Sequence, residues 1–142
     1  MPWGGLFTFV HLVALAGWLL VFLAPRGPRV ASYVLYLCVG LLCLTYTVMF
    51  GSEAGTIVRG DFLSIEGIRA LFASDAGIVI GWTHYLAFDL FIGQWIAKDA
   101  DHKGFSRITQ APVLLLTLLA GPIGLLIWLV MRERRARASA RS

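Results

Sequence analysis

The chain has 142 residues and a formal net charge of +4, yet only 14% of its residues are charged and 58% are hydrophobic, where a soluble domain carries roughly a quarter charged residues. That balance excludes a water-soluble globular domain and points to an integral membrane protein with room for one helical bundle. The excess positive charge sits in a tail, 132–142, where Arg132, Arg134, Arg135, Arg137 and Arg141 are opposed by Glu133; this reads as a membrane-surface anchor or topology signal and not as a nucleic-acid patch.

The first predicted span covers residues 5–24 and stops at Pro25-Arg26-Gly27-Pro28-Arg29. Twenty residues at a rise of 1.5 Å match the roughly 30 Å hydrocarbon core. Met1-Pro2-Trp3-Gly4-Gly5 has neither the basic start of a cleavable signal peptide nor the Arg- and Ser-rich character of a transit peptide. The expected location is therefore a prokaryotic inner or cell membrane, or a mature organellar one. His11 lies about two turns into this span.

The second span, 30–50, is rich in Leu, Val and Tyr, with hydroxyls that can bond within or between helices. Its cysteines, Cys38 and Cys43, are five apart, about 140° around a helix, so no disulfide or metal pair is expected between them. A long connection follows. Within it, Ile65, Ile68, Leu71 and Phe72 share one face of a segment too short to span, which predicts an amphipathic interfacial helix.

The third span, 77–97, is the costly one. It carries His84 and Asp89 well inside, and a carboxylate near the bilayer centre costs about 2.5 to 3.5 kcal/mol on insertion scales. Such a group belongs at a bundle interior, a polar cavity or a partner. The two are five residues apart and so point about 140° away from each other. His84 shares its face with Phe88, Phe91 and Trp95, whereas Asp89 shares one with Tyr85 and Trp82. Any site using both must be completed from other helices, with His11, at similar depth to His84, or with Glu53 from the long connection. The opening Gly77-Ile78-Val79-Ile80-Gly81 is a small-xxx-small pattern that lets another backbone approach.

The fourth span, 112–131, contains Gly121-Pro122-Ile123-Gly124 at its middle, and the proline predicts a bend. Four crossings put both termini on one side. That side would collect Arg59, Arg69 and the tail arginines, against Arg26, Arg29, Lys98, Lys103 and Arg107, so the positive-inside rule makes the termini cytoplasmic. The expected fold is all-α: one domain, an integral membrane four-helix bundle with a short interfacial helix between the second and third spans.

The run Trp82, His84, Asp89-Leu90-Phe91 and Asp99 after Trp95, followed by an apolar segment ending in Gly121-Pro122-Ile123-Gly124-Leu125, resembles the abscisic-acid-deficient-4 family, small membrane proteins that include plant neoxanthin synthase and bacterial relatives. The resemblance implies isomerase-type carotenoid chemistry. An epoxide oxygen is protonated, a proton leaves the adjacent polyene carbon, and an allene and a tertiary alcohol form. This needs an acid and a base in a dry site and no redox cofactor or metal. His84 and Asp89 are then the catalytic candidates. Trp82, Tyr85, Phe88, Phe91, Trp95, His11 and Glu53 are the candidates for contacting a carotenoid or other polyisoprenoid lipid.

Two readings from other classes stay open at this point. His11 and His84 on different helices could be axial ligands of a b-type haem. The aromatic stripe and basic tail would also suit a noncatalytic carotenoid- or lipid-binding accessory subunit, in a homo-oligomer or a larger membrane complex.

Overall fold

The structure, a computed structural model, describes residues 1–139, and Arg141 of the basic tail lies outside the described residues. Every regular element among them is helical. Three helices are long and apolar enough to cross a membrane: α1 (Trp3–Leu23), α2 (Pro28–Ser52) and α5 (Asp75–His102). This is a membrane protein.

Proline punctuates the first two. Ala24, before Pro25, is extended at ψ 153°, as the residue before proline prefers, and ends α1. Pro28 then starts α2 at its first position, where the missing N–H is no loss. The segment Tyr33–Val39 of α2 is wound as a π-helix. A single turn, α3 (Ala54–Ile57), and the short helix α4 (Ile65–Leu71) make up the long connection. Ser64 caps α4, its hydroxyl accepting the Gly67 N–H at 3.1 Å. Ser74 does the same for α5 through the Gly77 N–H.

α5 is the central helix. Val10, Ala14, Trp18 and Val21 of α1 join Leu86, Ala87, Leu90 and Ala97 of α5 in the core. Small residues set the approach: the Trp18 ring occupies the space a Cβ at Gly93 would fill, and Leu90 fills that at Gly17. At the start of α5, Gly77 lies against Leu71 and Gly81 against the Phe72 ring, so the small-xxx-small pattern receives the end of α4.

The expectation of a fourth crossing over 112–131, and with it the four-helix bundle, is corrected. α6 (Arg107–Leu119) ends at Ala120, whose φ of −155° and ψ of 76° are not helical, and α7 begins afresh at Gly121. α7 (Gly121–Ser139) then runs back. The end of α6 reaches Tyr85, and Gly121 sits against Asp89, but Trp128 meets Asp99 and Phe105, and Arg132 meets Asp99. Gly124 packs on Thr117, as two antiparallel arms require. The pair is a helical hairpin that enters from one end of the bundle and returns to it. Pro122 stands in the first turn of a new helix, where its missing N–H is harmless, and does not kink a continuous one.

The N-terminus and the start of the C-terminal tail consequently lie at opposite ends, not on one side. Met1 meets Ser52, and Trp3 packs in the cluster of Met49, Val79 and Ile80, while the start of the C-terminal tail lies beside Asp99 and Phe105.

Candidate functional site

The hydrogen bonds divide α5 into two faces. On the first, the Trp82 indole N–H donates to His11 Nε2 at 2.8 Å, and His11 Nδ1–H donates back to Phe7 O at 2.9 Å. Both ring nitrogens are used, which fixes the neutral tautomer with its proton on Nδ1. One turn on, the Tyr85 hydroxyl donates to Leu119 O at 3.2 Å, one of the carbonyls that the end of α6 leaves unpaired.

Asp89 stands one further turn along, only 9% exposed, and its carboxylate touches Gly121 at the start of α7. Its Oδ2 is buried and, among the described residues, without a hydrogen-bond partner. Tyr85 thus holds the negative end of one half-hairpin and Asp89 faces the positive end of the other, the arrangement that the helix dipole favours. A break in helical backbone at membrane depth is tolerated only where protein satisfies it. Here the Tyr85 hydroxyl serves the last carbonyls of α6, and the Ala120 carbonyl accepts the Ile123 and Gly124 N–H groups of α7.

The second face carries His84. Its ring stacks on Phe88 with centroids 4.6 Å apart and lies 5.7 Å from Tyr46 of α2. Among the described residues no hydrogen bond occupies its nitrogens. His84 lines an open cavity of about 660 Å³ bordered by the end of α2, the long connection and the start of α5. Tyr46, Phe50 and Phe72 supply aromatic wall, and Glu53 and Asp61 supply carboxylates. Below His84, the exposed rings of Phe88, Phe91 and Trp95 continue down α5, and Phe91 and Trp95 line a second hollow with Leu35 and Gln94.

Asp61 shapes the cavity mouth. Its carboxylate accepts from the Ser64 hydroxyl and from the Leu63 N–H at 2.8 Å. The Ser64 bond first, then the Leu63 bond, hold it below the ordinary carboxylate range.

The sequence-derived candidates therefore fall into two groups. The structure sets His84 on one cavity wall with Glu53, with Phe88 stacked on its ring and Phe91 and Trp95 further along the same face, and on the other face it brings His11, Trp82 and Tyr85 into a chain of contacts, with Asp89 one turn beyond Tyr85. It does not bring His84 and Asp89 to a common site, and Asp89 opens on neither hollow. His11 and His84 are not opposed as a ligand pair either, since His11 Nε2 faces Trp82. Among the described residues no group of three or more His, Cys, Asp or Glu gathers as a metal site.

Sequence reasoning missed the polar cluster at the far end of the bundle. Arg26 donates to Asp101 at 2.8 Å and also to Gln110, which donates to Asp101 and to Phe105 O. Asp99 accepts from Trp128 at 3.1 Å and from Arg132 at 2.8 Å. The signal available was the repeated acidic side chain, Asp99 and Asp101, just beyond an apolar span and facing arginines in two other segments.

The sequence model of the family described as ABA DEFICIENT 4-like matches residues 5–128. No curated protein and no solved structure matches the chain.

Proposed function

We propose, from the premise that this chain belongs to the ABA DEFICIENT 4-like family, that it is a multi-pass membrane enzyme of carotenoid or xanthophyll metabolism that works by isomerase-type acid-base chemistry. The observation that carries the reading is the single amphiphilic path on α5. A cavity of about 660 Å³ with an imidazole and carboxylates on its wall leads onto an exposed run of Phe88, Phe91 and Trp95. A carotenoid has that form: an oxygenated ring on a long rigid polyene. The ring would occupy the cavity, and the polyene would lie along the stripe.

In this reading His84 is the catalytic residue. Its nitrogens are unengaged, so it can take the proton released from the carbon beside the epoxide. Glu53, half-buried on the same wall, is the candidate acid toward the epoxide oxygen. Asp89, first expected as a catalytic partner, acts instead as the residue that holds the hairpin turn.

The end bearing the tail also carries Arg26, Arg29, Lys98, Lys103 and Arg107, whereas Arg59 and Arg69 alone lie at the other. The positive-inside rule then puts the tail in the cytoplasm and the N-terminus and the His84 cavity toward the opposite surface. α4, with Ile65 and Ile68 exposed, would rest at that interface.

A noncatalytic binder is the second reading, favoured by the engagement of Asp89 in the fold. Expression in a carotenoid-making host separates the two. A pigment of altered structure supports the enzyme. An unaltered pigment that copurifies supports the binder.

A further inference from the structure

We propose that the cavity at the tail end of the bundle is a binding site for the headgroup of an anionic phospholipid. It measures about 540 Å³ and lies between the end of α1, the start of α2 and the last turns of α5. Its mouth is polar, with Arg26, Lys98 and His102, and its inner wall is apolar, with Leu20, Val34 and Leu35. That is the division of a phospholipid into a charged head and an acyl chain.

Two features favour an anion there, and a third shapes the wall. Arg26 spends Nη1 on Asp101, Ala97 O and Gln110, and its Nε is buried and has no hydrogen-bond partner among the described residues. Burial lowers the basicity of this guanidinium even with Asp101 beside it, and the nearby Arg107 lowers it further, so a second negative group would be favoured beside this pair of arginines. The Lys98 ammonium, on the rim, forms no ion pair among the described residues, and Asp101 is already engaged by Arg26 and Gln110. The π-wound stretch Tyr33–Val39 supplies Val34, Leu35 and Tyr36 to the wall, and π segments recur at binding sites because they displace side chains from the regular ladder. The site rests on the membrane reading and not on the carotenoid chemistry, since it lies at the end of the bundle away from His84. It also faces the surface where anionic lipids concentrate if the tail is cytoplasmic.

Native mass spectrometry of the full chain, taken from detergent into phosphatidylglycerol or phosphatidylcholine and stripped by washing, tests this. One phosphatidylglycerol should stay bound and phosphatidylcholine should not. Lys98→Gln should weaken retention by about fivefold. Arg26→Lys, which keeps the charge facing Asp101, should weaken it too, while Arg134→Gln in the tail leaves it unchanged. Equal retention of phosphatidylcholine, retention insensitive to both Lys98→Gln and Arg26→Lys, or loss on Arg134→Gln would overturn the assignment. Displacement of the lipid by inorganic phosphate alone would do the same.

Discussion

The carboxylate of Asp89 lies directly against the Cα of Gly121, in the space a side chain there would need. One contact accounts for two oddities of the sequence, an aspartate deep in an apolar span and a Gly-Pro pair in the middle of another. Neither makes sense without the turn-back that joins them.

Gly121→Ala should therefore lower the apparent unfolding temperature in detergent, by an overpacking cost of about 1–3 kcal/mol. In an Asp89→Ala background the same change should cost much less, because the overlapping atoms are gone. Additive losses in the double variant would show that the contact is not the cause.

Tyr85→Phe removes the hydroxyl that meets the end of α6 and leaves the Leu118 and Leu119 carbonyls unserved. The expected loss is about 1 kcal/mol, read by the same unfolding measurement. An effect confined to pigment conversion, with stability unchanged, would assign Tyr85 to substrate and not to the hairpin.

Asp61 gives a pH dependence whose sign follows from its hydrogen bonds. Its folded-state pKa is held below the unfolded value, so its contribution to the cavity mouth is complete above about pH 4 and is lost as pH falls through the lower folded value. Amide-exchange protection at Leu63 and Gly67 should fall over that acid range after correction for intrinsic exchange. Asp61→Asn, whose amide oxygen can still accept the Leu63 N–H but does not titrate, should remove the transition.

The hairpin also predicts which segments share a membrane surface. In a chain with Cys38 and Cys43 replaced, single cysteines at Gly104 and Ala136 should react with an impermeant maleimide from the same side, and one at Gly55 from the other. Labelling of Ala136→Cys and Gly55→Cys from one side would restore the four-crossing arrangement.

The three long helices were legible because hydropathy and length suffice for them, and the two faces of α5 followed from helical angle alone. The last segment was not legible by the same means. Hydropathy is blind to whether Gly121-Pro122 bends a helix or begins another, since both keep the apolar run intact; the difference lies in the backbone of Ala120. Proline's preference for the first helical turn was the signal available. The grouping of His84 with Glu53, and of Asp89 with Tyr85, Trp82 and His11, needed the packing of α1, α2 and the hairpin around α5, which no spacing within α5 encodes.

The central claim is that chemistry belongs to the His84 face and architecture to the Asp89 face. Its most direct test is pigment analysis of a carotenoid-making host expressing the parent, His84→Ala or His11→Ala, each normalised to folded protein. The account predicts a new carotenoid isomer with the parent and with His11→Ala, and none with His84→Ala. Conversion that survives His84→Ala would contradict it.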